Sequence, residues 1–278
     1  MNPMREIAHR LDPVLWVQEV LGDKPAPWQQ QLLRAPRGAS ILALTARQSG
    51  KTTAAAWAMA HAAIFMPGSL SVVACPAQRQ SAEAVRRVRE ILLKAGGKLA
   101  ADNVYGLELE NGSRILALPG TDDSIRGLTV DAYIVADEAA RLSPDLISAL
   151  RPMRARKPHA RLAMLSTAWS LVDPFWTAWS SEDPTWIRLR ATADENPIFA
   201  PEFLEAERHA LGEAAFKREY LGIPTGAGTS PFTWALFEKI TRSRTPIVLP
   251  GPAFFPPDPP PPMPVENPFG RLGEGLMQ

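Results

Sequence analysis

Thr45-Ala46-Arg47-Gln48-Ser49-Gly50-Lys51-Thr52-Thr53 follows directly on the apolar run Ile41-Leu42-Ala43-Leu44. The order is that of a buried strand, a tight loop and the start of a helix. Backbone N–H groups of such a loop turn inward and cradle phosphate oxygens, and the helix N-terminus adds the positive end of its dipole. In this pattern Lys51 would reach the β- and γ-phosphates of ATP, and the Thr52 hydroxyl would ligate Mg²⁺. The segment departs from G-x-x-x-x-G-K-[ST] at one place, where Thr45 stands for the first glycine.

A matching acidic element lies downstream. The run 132–136 is apolar and ends in Asp137-Glu138. Asp137 would hold the Mg²⁺ shell, usually through water, because Mg²⁺ dehydrates reluctantly. Glu138 would polarise an attacking water as general base. Adjacent acids at a strand end also occur as a solvated turn. With the Gly50 loop in the same chain, each in its own strand context, they read as two halves of one nucleotide site.

Around these two elements the pattern alternates between strand and helix. Residues 11–33 read as helical, interrupted by Pro25 and Pro27. Residues 52–65 are Ala-rich and helical, 71–75 form a strand, and 81–94 form a helix with a basic outer face (Arg86, Arg87, Arg89, Lys94). Alternating polarity over 104–109 and 113–118 around Asn111-Gly112 is a hairpin signal. Strands are expected at 161–165 and 186–191, a helix from Ser143 through Leu150, and one amphipathic helix over 202–220. Strands interleaved with helices argue for a mostly parallel sheet with ligands at the strand C-terminal ends. Residues 226–230 read as a linker, and the chain beyond Pro250, with Pro259–Pro262 consecutive, as an extended or disordered tail.

Composition narrows the function classes. The chain has 278 residues, 46% hydrophobic and 21% charged, enough to bury a sizeable core. Net charge is only +1, so contact with nucleic acid needs a local patch and not a generally basic surface. One cysteine, Cys75, excludes an internal disulfide and a multi-cysteine zinc site, and the four histidines show no ligand spacing. No signal peptide and no membrane span are expected.

Other residues allow two readings each. Arg47, inside the loop, and Arg126, shortly before the acidic strand, could each present a cation to the γ-phosphate, or be solvated or salt-bridged arginines. Trp28-Gln29 could meet adenine, with the Gln amide reading both donor and acceptor edges, or be a helix start with a core tryptophan. Ser166-Thr167-Ala168 could contact the γ-phosphate region and report its loss, or be a capped turn. The basic helix face and the stretch 151–157 could grip DNA phosphates, or be solvated.

Taken in order, these pieces resemble the large terminase family, the ATPases that drive DNA into tailed-phage capsids. The resemblance covers about 12–232. It rests on Pro27-Trp28-Gln29, Ala46-Arg47-Gln48-Ser49-Gly50-Lys51-Thr52, Asn111-Gly112-Ser113-Arg114, Arg126-Gly127, Asp137-Glu138-Ala139-Ala140, Arg151-Pro152-Met153, Ser166-Thr167-Ala168 and Phe216-Lys217-Arg218-Glu219-Tyr220. That family favours R-Q-x-G-K-[ST], which accommodates Thr45.

The resemblance implies an α/β fold, a RecA-like additional-strand P-loop NTPase. Its ATPase domain would span 1–225: adenine-motif helices over 1–37, a core over 38–200 and a closing helical segment over 201–225. ATP and Mg²⁺ would be bound by Trp28, Gln29, Arg47, Gln48, Ser49, Gly50, Lys51, Thr52 and Thr53, with Thr52 and Asp137 at the metal. Glu138 would be the base, Arg47 and Arg126 the cis and trans fingers, and Ser166–Ala168 the coupling motif. The implied partners are double-stranded DNA, a portal protein, a small terminase subunit and further copies in a ring, in the cytoplasm of a bacterial host, encoded by a phage or prophage.

Large terminases continue into a nuclease domain. The acids after Tyr220 are Glu238, Asp258, Glu266 and Glu274, mostly in or beyond the Pro-rich region, and do not suggest a two-metal cluster. The expectation is therefore no DNA cleavage by this chain, with a separate nuclease or a truncated prophage relic as explanations. A helicase-like ATPase unconnected with capsids, and a non-catalytic assembly subunit, are the alternative readings.

Overall fold

The runs of apolar residues pair into one eight-stranded sheet ordered β3-β4-β5-β2-β6-β7-β1-β8. The strands are β1 (Ser40–Thr45), β2 (Leu70–Ala74), β3 (Leu99–Asn103), β4 (Gly106–Leu109), β5 (Arg114–Ala117), β6 (Tyr133–Asp137), β7 (Arg161–Ser166) and β8 (Trp186–Ala191). The computed structural model describes residues 3–118, 127–194, 196 and 199–224. These fall in the first of two units of the chain, Met1–Pro231; the second, Phe232–Gln278, the expected 226–230 linker and Arg126 lie outside the described residues.

Strands β5, β2, β6, β7, β1 and β8 run parallel, and β4 is antiparallel to both β3 and β5. Strand β7 is inserted between β1 and β6, the additional-strand order that the resemblance implies. Parallel pairing aligns Leu44 with Ser166 and Asp137 with Leu165, so the C-terminal ends of β1, β6 and β7 share one edge. That edge is where ligands bind in open α/β sheets.

Both faces of the sheet are covered, and alternation along β1 shows how. Ile41 and Ala43 join a cluster with Trp16, Leu32, Met59, Val88 and Leu92, whereas Leu42 and Leu44 join one with Leu146, Met153 and Phe175. The first face carries α2 (Pro13–Trp16, running on as a π-helical turn Val17–Leu21), α3 (Pro27–Leu33), α4 (Lys51–Phe65) and α5 (Gln78–Lys94). The second carries α6 (Pro144–Leu150) and α7 (Pro174–Ser180). Helix α4 is almost wholly buried; its alanines let the backbone lie close against the sheet and both neighbouring helices.

Three local expectations change. The helix expected over 202–220 is two helices, α8 (Pro201–Leu211) and α9 (Glu213–Tyr220), broken at Gly212 with φ +75° and ψ 159°. A residue with a Cβ would not adopt that conformation readily, and the glycine outweighs the amphipathic pattern around it. Strand β3 precedes the hairpin, its pairing to β4 closed by a turn at Val104-Tyr105, so the first hairpin strand begins later than its alternation suggests. Helix α1 (Pro3–Leu11) forms in the polar N-terminal region, and α7 in a segment assigned no structure from sequence.

Candidate nucleotide site

The segment after β1 turns sharply. Ser49 N–H donates to the Ala46 carbonyl at 3.4 Å, Gln48 takes φ +60° and Gly50 φ +87°, and α4 begins at Lys51. Left-handed residues in such a turn aim successive N–H groups into one concavity, an anion-binding nest. A non-glycine residue in that region costs about 1 kcal/mol or more, so Gln48 holds strain that the surrounding packing must enforce. Thr45 is the last extended residue of β1 and fully buried, so its backbone does not require glycine; the turn begins one residue later.

Asp137 ends β6 beside this turn. Thr52 Oγ1 donates to Asp137 Oδ2 at 2.6 Å, and Lys51 Nζ lies 3.7 Å from Glu138 Oε1 while donating to the Ala46 carbonyl at 3.4 Å. Lys51 is 7% exposed. Burial raises the Asp137 carboxyl above its usual range, against the Thr52 hydrogen bond and the Lys51 charge, and the Glu138 charge raises it further. Glu138 itself is left-handed at φ +52°. Strained backbone is thus present on both sides of the cleft, at Gln48 and Glu138. Cys75, at the end of the adjacent β2, is pushed up to about 12 by burial and by the Asp137 charge, which leaves it an unreactive thiol.

Residues foreseen from sequence are brought together unevenly. Gln29 is buried; its Oε1 accepts from Ala26 N–H at 2.8 Å and its Nε2 donates to the Gly50 carbonyl at 3.2 Å, so its amide spans from the α3 N-terminus to the phosphate turn. Trp28, 5% exposed, packs into the hydrophobic core, and its indole nitrogen is buried without a hydrogen-bond partner. The Thr53 hydroxyl is engaged from the other side by Arg87 of α5, at 2.6 Å. Arg47 is exposed; its N–H donates to the Glu219 carbonyl at 2.7 Å, and no hydrogen bond or ion pair holds its guanidinium among the described residues. Ser166, Thr167 and Ala168 are buried, and Ser166 Oγ accepts from Ala140 N–H at 3.2 Å, joining the β7 end to the turn after Glu138.

The basic stretches are largely spent within the molecule. Arg86 pairs with Glu83 and Glu90, Arg89 with Asp102, Arg154 donates to Ser40 and three backbone carbonyls, and Arg151 lies over Trp186. Arg86 makes its pairs on an exposed helix face, where such pairs contribute little.

The donor set suits a hard cation with phosphate. A hydroxyl and a carboxylate oxygen already meet at Thr52 and Asp137, and Ser49 Oγ in the turn is buried with no hydrogen-bond partner. Among the described residues no group of three or more His, Cys, Asp or Glu could hold a metal ion by itself. Mg²⁺ commonly takes one or two carboxylates plus substrate phosphates, which fits so sparse a set. A cavity of about 840 Å³ lined by Leu128, Asp145, Met153 and Arg156 shares no residue with this cleft.

The family model for the terminase large subunit, T4likevirus-type, N-terminal domain matches residues 42–239, most of the chain and both halves of this cleft. The chain belongs to the large terminase family. No curated protein matches this large terminase sequence. Among solved structures, a mutant form of the Thermus phage P74-26 large terminase ATPase domain is 20% identical with a TM-score of 0.67, covering 76% of this chain and 99% of that one. The large terminase of the thermophilic bacteriophage D6E is 15% identical with a TM-score of 0.57 over 77% of this chain. A structure of the D6E protein in complex with ADP is 14% identical with a TM-score of 0.56. At these identities the likeness is one of fold. This terminase chain spans about half, 52%, of the D6E protein's length. Among the described residues no helix is long and apolar enough to cross a membrane.

Sequence reasoning passed over Trp169. The guanidinium carbons of Arg141 and Arg218 lie over its ring, 4.3 and 4.5 Å from the centroid. The available signal was an aromatic residue directly after Ser166-Thr167-Ala168, with Arg141 next to the Asp137–Ala140 motif and Arg218 within the Phe216–Tyr220 segment.

Proposed function

We propose that this chain is the ATP-hydrolysing motor subunit of a viral DNA-packaging terminase, coupling hydrolysis to movement of double-stranded DNA into a procapsid. The observation that supports it best is the Thr52–Asp137 hydrogen bond beside the Lys51–Glu138 pair, at the C-terminal edge of a sheet with additional-strand order. A related protein from phage D6E has been seen in complex with ADP and with ATP-gamma-S, which favours the same ligand class here.

In this reading the phosphate tail enters the nest at Gln48–Gly50. Lys51 exchanges the Ala46 carbonyl for phosphate oxygens, and its ammonium remains near the Glu138 carboxylate. Thr52 and Asp137 would hold Mg²⁺, which when bound draws charge from the β- and γ-oxygens. Glu138 orients the attacking water and accepts its proton. Arg47, exposed on the loop, would be the cation in cis and Arg126 that offered to a neighbouring copy. Ser166, tied to Ala140 next to the acidic pair, would carry the loss of phosphate contact into β7. Gln29 would read adenine while its amide steadies Gly50. Double-stranded DNA, a portal, a small terminase subunit and a ring of copies are the partners in this proposal.

The test is ATP turnover by the purified chain with and without duplex DNA, beside Lys51→Ala and Glu138→Gln. Turnover lost in both variants supports the site. Stimulation by a portal or small subunit favours packaging over a capsid-independent translocase, and turnover unaffected by either variant refutes the reading.

A further inference from the structure

Glu219 touches both halves of the cleft through different atoms. Its backbone carbonyl accepts from Arg47 N–H in the phosphate turn at 2.7 Å. Its carboxylate, 9% exposed, lies 3.4 Å from Arg218 Nε and 3.7 Å from Arg141 Nη2. Arg141 is one short turn beyond Glu138, and its N–H donates to the Glu138 carbonyl at 2.9 Å. A single residue of α9 therefore connects the loop on β1 to the strained turn on β6, alongside the direct Thr52–Asp137 and Lys51–Glu138 contacts.

The arrangement is held by Trp169. The Arg141 and Arg218 guanidinium carbons sit 4.3 and 4.5 Å from its ring centroid. Both guanidiniums are positive, and the single carboxylate they share neutralises only one of them. The ring quadrupole supplies the remaining attraction, worth roughly 0.5–1 kcal/mol per contact at an exposed site. Trp169 is 38% exposed, so core packing alone does not account for an indole at this position. It directly follows Ala168, so the stack also attaches to the end of β7.

We propose that Glu219, Arg141 and Trp169 are positioning residues: the stack with Arg218 on Trp169 and the Glu219 carboxylate set the placement of Glu138 relative to the phosphate turn. The inference rests on the ATPase reading above. It assigns the α9 end a part in the rate of the chemical step and none in holding nucleotide.

The experiment compares the full chain with Trp169→Leu, Trp169→Tyr and Glu219→Gln, with Lys51→Ala as the reference for site-dependent turnover. Steady-state ATP hydrolysis with duplex DNA gives kcat, titration with a fluorescent ATP analogue gives affinity, and thermal melting checks folding. Expected is a kcat at least about tenfold lower in Trp169→Leu and Glu219→Gln with affinity within about twofold of the parent, the signature of an interaction that matters only in the transition state. Trp169→Tyr, which keeps an aromatic face, recovers most of the rate. Trp169 is partly exposed, so its variants keep the test usable even where Glu219→Gln melts early. Unchanged kcat, equal losses in the Leu and Tyr variants, or a loss confined to affinity overturns the inference while leaving the site reading intact. A parent chain without Lys51-dependent turnover overturns both.

Discussion

Thr52 Oγ1 and Asp137 Oδ2, 85 residues apart in the chain, meet at 2.6 Å where the first turn of α4 faces the end of β6. Strand β7 lies between their parent strands, so only the common C-terminal edge of a parallel sheet brings them together. The same edge carries Lys51, Glu138 and Ser166.

Asp137 is a nearly buried carboxylate whose ionised form the fold disfavours. A carboxyl raised in the folded state binds its proton more tightly there than in the unfolded chain, so stability falls as pH rises from the unfolded pKa through the folded one. Asp137→Asn keeps an acceptor for Thr52 and removes the charge. Melting at neutral pH without nucleotide should rise in the variant, and the gap should close in acid. ATP turnover should be lost. A variant less stable than the parent at neutral pH contradicts the argument.

Lys51 and Glu138 have separable effects. Glu138→Gln should retain nucleotide and lower kcat by about 10² or more, the scale of general-base catalysis. Lys51→Ala should weaken affinity as well, because the ammonium is replaced where phosphate charge must be met. Titration of both variants with a non-hydrolysable analogue, beside turnover, distinguishes them.

Gly50 is left-handed, and a Cβ built on it would lie 2.7 Å from Gln29 Nε2. Gly50→Ala should therefore cost about 1–2 kcal/mol through backbone strain and displacement of the Gln29 amide. Denaturant midpoints give the cost, and Gln29→Ala in the same background should relieve only the steric share. Full additivity of the two substitutions would show that the clash is absent.

His61 is half-buried, its Nε2 hydrogen-bonds the His9 carbonyl at 2.8 Å, and desolvation lowers its pKa to about 4. It stays neutral in the folded chain where the unfolded chain would already be protonated. Its contribution is thus complete above the ordinary histidine pKa and is lost as pH falls from there toward about 4. The span corresponds to an upper bound on the order of 3 kcal/mol. His61→Gln should flatten the acid limb of the stability curve measured by urea unfolding between neutral and acid pH. An unchanged acid limb would assign that limb to other groups.

Much of the architecture was legible because short-range rules governed it. The apolar runs of β1 and β6, the alanines of α4 and the limits of β8 follow from patterns that burial on both faces imposes. The helix over 202–220 was misjudged because periodicity survives across Gly212 while the backbone does not. Trp28-Gln29 admitted two readings from sequence, which could not foresee that the indole enters the core and the amide reaches Gly50. Arg87 and Arg89 resembled part of a solvated or DNA-facing stripe because their partners Thr53 and Asp102 belong to other elements.

The sequence by itself singled out Gly50, Lys51, Thr52, Asp137 and Glu138 and put them at strand ends and a helix start, since turn residues, burial and helix starts are local properties of the chain. Only the tertiary structure decided who meets whom: Thr52 with Asp137, Gln29 with Gly50, and Arg141 and Arg218 each with Trp169. Those meetings depend on strand order and on the packing of α9 against the phosphate turn. Both are set by the burial of the whole sheet, which no short stretch of residues records.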